Sequence, residues 1–351
     1  MKIKFLKAFN GDAIWISFEN DGAQKNVIID GGIGKTYIDS SKRKGELFDV
    51  IESIKEKGEF VDLLVLTHFD DDHIGGILKW LDKDQNASTL IKKVWFNSGK
   101  EIANKFEIAE NHELDIQIQG SAEVFQTSPA QGINFEKYLK DNYLWEGMII
   151  EQGEVYELLG LTFKILSPNK DKLAKLLKLY RKQIDYFTSS GEYDFDTTLQ
   201  DFIIEENTSK FIITEDSAVA NGSSIAFIMV HENNNYLFLG DSHPSVIVEG
   251  LKHFGFNKSN PLSVELMKIS HHASMYNTTK ELLEIIETDN YVVCSNASKH
   301  GLPNKRTIAR IIAKSPNANI LFNYDLKDEV FSEQDWIDFP FFRASVTNEF
   351  N

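Results

Sequence analysis

Three short apolar runs open the chain, IKFLKAF (3–9), AIWISF (13–18) and NVIID (26–30), each bounded by turn-forming residues. They are rich in β-branched and aromatic side chains, and so predict the first strands of a meander. The third run stops at Asp30-Gly31-Gly32. Leu47, Val50, Ile51 and Ile54 then recur at helical spacing and predict a helix over 44–57. DLLVLT (62–67) is nearly continuous apolar sequence, the pattern of a strand buried on both faces, and a helix from about Ile74 to Leu81 follows it.

The middle of the chain is less regular. Residues 100–160 mix amphipathic helix with loops, and residues 187–220 are rich in Ser, Thr and Asp and read as loops. Between them, TFKIL (162–166) predicts a strand stopped by Ser167-Pro168. A helix over 170–186 carries Leu173, Leu176, Leu177 and Tyr180 on one stripe, with its lysines on the solvated face. Regular alternation returns with strands at 225–230, 236–240, 263–269 and 291–295, and helices at about 244–253, 278–287 and 305–313. Two β-rich halves, each with helices, fit two packed sheets with outer helices. The stretch 315–351, with Trp336, Phe339, Phe341 and Phe342, packs back on the core in this reading.

Composition narrows the class. At 351 residues and 42% hydrophobic, the chain is too apolar for a disordered protein and long enough for one large domain. A single cysteine excludes a disulfide framework and a cysteine-based zinc knuckle. No apolar run is long enough to span a membrane, and MKIKFLKAFNGD has no signal-peptide core, so the expectation is a soluble cytoplasmic protein with no membrane partner. With 37 basic against 53 acidic side chains the net charge is −16, which disfavours a sequence-blind nucleic-acid binder while leaving room for a local basic groove.

The richest ten residues are Thr67-His68-Phe69-Asp70-Asp71-Asp72-His73-Ile74-Gly75-Gly76. His68, Asp70, Asp72 and His73 follow a buried strand directly, where rigid backbone and a turn let side chains converge. Imidazoles with carboxylates suit zinc, manganese or iron. Only nine histidines occur in the chain, and two of them flank this triple Asp. His112, His231, His243 and His253 lack such a context. Cys294, in the apolar run YVVCS, reads as a small buried residue.

HFDDDH followed by IGG resembles the HxHxDH signature of the metallo-β-lactamase superfamily, with Asp70 at its second histidine. This HxDxDH form resembles the hydrolase domain of the bacterial competence DNA-uptake channel and its stand-alone, defence-associated relatives. Other segments carry the resemblance in order. Asn10-Gly11-Asp12-Ala13-Ile14 and NVIIDGG are similar to the GDAI and IDGG opening. Leu166-Ser167-Pro168 and Asn221-Gly222-Ser223-Ser224 are similar to the middle, Leu239-Gly240-Asp241 to the bridging-Asp motif and Ile269-Ser270-His271-His272-Ala273-Ser274 to HHGS. His300-Gly301-Leu302-Pro303 departs from GHP, since Leu302 stands where the family has His.

The resemblance implies a mixed α/β (α+β) fold, the four-layer αββα sandwich of that superfamily. It would form one domain over 1–351, with helical insertions near 100–160 and 170–220 and a C-terminal extension over 315–351. It implies two divalent metal ions, zinc or manganese. His68 and Asp70 would hold the first, Asp72 and His73 the second, and Asp241 would bridge them. His271 or His272 would complete a site, His271 being favoured. Neighbours on an extended segment point opposite ways, so the other would hold its neighbour or the substrate. Asn221, Ser223 or Ser224 stands where most relatives place a further histidine. Asp12 and Asp30 would orient ligands from behind.

Two cations with a bridging carboxylate generate hydroxide near neutral pH and clamp attacking and leaving oxygens, which suits phosphodiester hydrolysis. Asp72 and His300 are the candidate catalytic residues, and Lys299 and Lys305 candidate phosphate contacts. The expected function is a phosphodiesterase or nuclease acting on nucleic acid or a nucleotide, with protein partners in an operon-encoded anti-phage system. Lactone or other ester hydrolysis, or a catalytically weak regulatory subunit, are the alternatives.

Overall fold

The computed structural model describes residues 1–106, 128–145, 147–182, 184–186, 191–208 and 212–351. Parts of the stretches expected as mixed helix and loop (100–160) and as loops (187–220), and His112, lie outside these residues.

Two sheets are stacked. The first runs in the order Glu349–Phe350, Lys2–Phe5, Ile14–Asn20, Ala23–Ile29, Leu63–Val65, Val94–Trp95. Its opening strands form the expected antiparallel meander, and the last two join in parallel. The second runs Arg343–Val346, Asn319–Phe322, Asn290–Val293, Leu266–Lys268, Asn234–Phe238, Ala226–His231, Leu161–Ser167, Val155–Leu158. Parallel pairing covers its first five strands and antiparallel pairing the rest.

Alternation along the strands sorts their side chains into layers. Val27, Ile29, Leu63 and Val65 meet Phe163, Phe227, Met229, Phe238 and Val292 between the sheets. Ile28, Leu64 and Leu66 point outward onto Leu47, Val50, Ile51 and Ile54 of helix Glu46–Glu56 and Ile74, Ile77 and Trp80 of helix Asp71–Lys83. Ile228, Leu237, Tyr291, Val293 and Ile320 point outward from the second sheet onto helices Pro244–His253, Lys280–Glu284 and Lys305–Lys314. Helix, sheet, sheet, helix is therefore the layer order, the expected αββα sandwich.

Several boundaries differ from the sequence reading. The run 263–269 is broken into Leu262–Ser263 and Leu266–Lys268, and the helix expected over 278–287 is the shorter Lys280–Glu284 followed by strand Ile286–Glu287. The stretch 315–351 adds strands to both sheets, with Trp336, Phe339 and Phe342 packed against the outer cluster and Phe341 exposed. Among the described residues, no helix is long and apolar enough to cross a membrane.

Candidate metal centre

The sequence motifs meet where chain segments leave the carboxyl ends of parallel strands, the usual place for a ligand crevice in such sheets. Leu63–Val65 delivers Thr67 and His68, and the chain then turns into helix Asp71–Lys83 with Asp70 as its N-cap residue. The helix begins three residues earlier than the apolar pattern suggested, so Asp72 and His73 lie in its first turn. Three consecutive carboxylates there are favoured by the helix dipole. Asp71 accepts a hydrogen bond from Gln131 Nε2 at 2.8 Å and lines the cleft beside Asp70 and Asp72.

Neighbouring loops pack backbone to backbone against this turn. Asp12 N–H donates to the Asp72 carbonyl, Gly31 N–H to that of His73, and Gly76 N–H to that of Gly32. A Cβ on Gly11 would lie 1.9 Å from the Asp72 carbonyl oxygen, and one on Gly76 would lie 1.9 Å from that of Gly31. The glycines of GDAI and IGG are thus set by close approach of chains.

Four imidazoles surround Asp241. Their Nε2 atoms lie 3.3 Å (His73), 3.7 Å (His271), 3.8 Å (His272) and 4.0 Å (His68) from its Oδ2. Each ring turns its Nδ1 outward to a partner. His73 Nδ1 donates to Asp30 at 2.8 Å, and His272 Nδ1 to the Cys294 carbonyl at 2.9 Å. His271 Nδ1 donates to Asn277 Oδ1 at 3.1 Å; that amide is oriented by its own Nδ2, which donates to Asp216 and to the Asp241 carbonyl. His68 Nδ1 lies 3.1 Å from both Thr67 Oγ1 and Ser224 Oγ. The Thr67 hydroxyl proton is already committed to Asp30, so His68 Nδ1–H donates to it. All four Nε2 atoms therefore face inward.

The donor set fits divalent cations. His68 Nε2, Asp70 Oδ1, His73 Nε2, Asp241 Oδ1 and His272 Nε2 are buried and make no hydrogen bond. Such atoms are costly in a folded protein unless something else occupies them. His68, His73 and Asp241 form one compact group of candidate ligand atoms, and Asp72, His73 and His272 another. Histidine and carboxylate together suit zinc or manganese.

Charge crowding perturbs the titrations. Burial, reinforced by Asp72, pushes the Asp70 carboxyl up to about 7. Burial and neighbouring His73 pull His68 down to about 3. For His272, Asp241 and Asp12 outweigh burial and lift it to about 10. His73 is raised well above its ordinary value because Asp241 and Asp30 overcome burial. Burial would raise Asp241, yet His73, His271 and His272 hold it well below the carboxylate range.

His271 and His272 do not point apart. The expectation that they would assumed extended backbone, and the chain here has φ of 47° at His271, 51° at His272 and 68° at Ala273. This left-handed turn swings both rings toward Asp241. Asn221 lines the cleft and donates to Asp216 at 2.8 Å, and Ser224 supports His68 and the Asp241 backbone. Ser223 donates to the Ala220 carbonyl, closing the short helix Val219–Gly222, and takes no part in the centre. Lys305 is not a phosphate contact: its ammonium is fully buried, 2.6 Å from Asp335. Asn10, Tyr186, Asp216, Lys268 and Asn277 were not read from the sequence. Tyr186, Asp216 and Asn277 are isolated polar residues with no motif spacing, Asn10 and Lys268 adjoin motif segments without a signal of their own, and the fold alone assembles them.

A cleft of about 110 Å³ opens over the cluster. Asp70, Asp72, Asp241 and His271 form part of its wall, and Asn10, Tyr186, Lys299 and His300 also line it. Burial holds His300 below its ordinary value. A larger cleft of about 510 Å³ lies in the outer helical layer, among Phe202, Ile203, Leu283 and Ile312, and contains none of these groups.

The family model of the metallo-β-lactamase superfamily matches residues 7–295. The chain belongs to that superfamily. Metallo-β-lactamase superfamily proteins are generally metal-dependent hydrolases. Solved structures similar to this member include a metallo-β-lactamase of Cronobacter sakazakii with a HARLDQ motif, at 10% identity and TM-score 0.27, covering 68% of this chain and 56% of that one. The chain thus spans little more than half of that protein. The metallo-β-lactamase fold protein YhfI from Bacillus subtilis is 9% identical with TM-score 0.41, covering 99% and 98%. A putative metal-dependent hydrolase from Parabacteroides distasonis is 9% identical with TM-score 0.37, covering 99% and 92%. A search of the curated proteins gives no match.

Proposed function

We propose that this superfamily member is a two-cation phosphoester hydrolase, of the phosphodiesterase or nuclease class, acting on a nucleotide or an exposed nucleic-acid end. The observation that carries the reading is the set of five buried, unbonded donor atoms grouped around Asp241 beneath a narrow polar cleft. His68, Asp70, Asp241 and His271 would hold one cation, and Asp72, His73 and His272, sharing Asp241, the other. Bound divalent cations supply hydroxide near neutral pH and Lewis acidity at the phosphoryl oxygens.

The chain's own groups do the rest. Asp30, Thr67, Asn277 and the Cys294 carbonyl fix the imidazole tautomers. Lys299, exposed at the cleft edge, attracts the substrate anion. His300, which lines the cleft, is the candidate to pass a proton to the departing oxygen. Asp72, a candidate proton acceptor, accepts from Asn10 Nδ2 at 3.3 Å. A cleft of about 110 Å³ with carboxylates, lysine and histidine around it suits a phosphoryl group better than an apolar lactone or β-lactam body.

The test is hydrolysis of bis(p-nitrophenyl) phosphate by chelator-stripped protein reconstituted with Mn²⁺ or Zn²⁺, beside Asp72→Ala. Metal-restored turnover lost in the variant is the expected result. Folded, metal-loaded protein that leaves this ester intact and opens a lactone would overturn the phosphoester assignment.

A further inference from the structure

Lys268 is a buried charge that the proposed mechanism leaves unused. It ends strand Leu266–Lys268, is 1% exposed, and does not line the cleft, so it is placed to touch no substrate. Its ammonium donates to Asp12 Oδ2 and lies 3.4 Å from the carbonyl of Gly240, the residue before Asp241. The other oxygen of Asp12, Oδ1, makes no hydrogen bond and sits 3.3 Å from His272 Nδ1. Lys268 thus contacts the Asp12 and Asp241 loops, and its own strand leads into His271 and His272.

We propose that Lys268 and Asp12 form one positioning unit for the His272 side of the centre, holding His272 with Nδ1–H outward and Nε2 toward the cation shared with Asp72 and His73. This rests on the metal-centre reading above. A buried ammonium requires a counter-charge, and Asp12 is the one in contact. The Cys294 carbonyl takes the Nδ1 proton of His272, and engaging Oδ2 holds the Asp12 carboxylate beside that ring, with Oδ1 3.3 Å from Nδ1, as the charge behind a ligating histidine that steadies its orientation. The opposite side of the centre has a separate support, Asp216 with Asn277 behind His271.

The experiment is zinc titration of chelator-stripped protein against a competing chromophoric chelator, with metal counted after desalting, for the wild type, D12N, K268M and the double variant. Expected is two equivalents for the wild type. Each single variant keeps one and binds the second about 10–100-fold more weakly. The double variant falls no further than the weaker single, since the pair acts as a unit. In zinc-loaded wild type, the downfield Nδ1–H resonance of His272 is present; in D12N it shifts or is lost while that of His73 stays. Should K268M fail to fold, D12N and the resonance decide. Two equivalents at wild-type affinity in folded D12N, or loss of both equivalents together, would sink the positioning role while leaving the metal centre standing. Wild-type protein that retains fewer than two equivalents overturns this inference, and one that retains none overturns the metal-centre reading as well.

Discussion

On the first sheet, four candidate ligands lie within six residues at one strand-to-helix junction; on the second, three arrive from two separate loops. The first group is held by local geometry: a buried strand, an N-cap and one helical turn under a favourable dipole. The second depends on distant partners. Asp216, Asn277, Lys268 and a turn of three non-glycine residues in the left-handed region bring His271 and His272 to Asp241. Each such residue costs about 1–2 kcal/mol of backbone strain. A centre built this way is held by local geometry on one side and by distant partners on the other.

Asp241→Ala tests the point where the two sides meet, and carries the largest expected effect. Both metal equivalents and all metal-dependent turnover should disappear, as read by metal analysis of desalted protein. Retention of one tight equivalent would show that the first-sheet group binds metal by itself, and would sharpen the contrast.

Asp30→Asn and Asp216→Asn set the sides against each other. Each removes a carboxylate behind a histidine, with an expected loss of about 10–100-fold in metal affinity. Asp30→Asn should be the larger, because His73 belongs to both compact donor groups. Equal losses in competition titrations would mean that the two sides are coupled rather than separately supported.

His300→Ala leaves both sides intact and acts only at the mouth. Turnover of a poor leaving group should fall by on the order of 10²-fold, with metal content unchanged and a smaller loss for p-nitrophenolate esters, which depart without a proton. A uniform loss across leaving groups would remove His300 from proton transfer.

The smallest effect concerns the outer layer behind the second sheet. Burial would raise Asp335, but the Leu199 N–H and the Lys305 ammonium outweigh it and hold the carboxyl below its ordinary value. A lowered folded-state value gives stability that is present above the usual carboxylate range near 4 and lost as pH falls below it. Thermal melts from pH 6 to pH 3 should therefore show a steeper acid loss for the wild type than for Asp335→Asn. Parallel curves would place the acid sensitivity elsewhere.

The contrast between the sides also explains what could be read in advance. HFDDDH was legible because its donors are contiguous, and strands 161–167, 226–231 and 290–293 because alternation or apolar runs marked them. Helix Pro244–His253 matched its expected limits, with Pro244 at its start. Lys268 fell inside the strand expected over 263–269 and carried no role of its own, since nothing in LMK signals that its ammonium meets Asp12, 256 residues away. The direction of His271 and His272 was misjudged because no glycine announces the left-handed turn. Strands 319–322 and 343–346 were hidden because their aromatic surroundings read as packing and gave no strand period.

Gly11 and Gly76 answer a different demand from the carboxylates. A methyl group at either would collide with a main-chain oxygen at 1.9 Å, whether or not a cation or an ester ever arrives. In a lineage that abandoned hydrolysis, selection would release Asp70, Asp72 and His73 while the interlocked loops still barred any side chain at these two positions. Inheritance of the glycines alone would then mark common ancestry of the scaffold, and only the acids beside them would report that the chemistry had been kept.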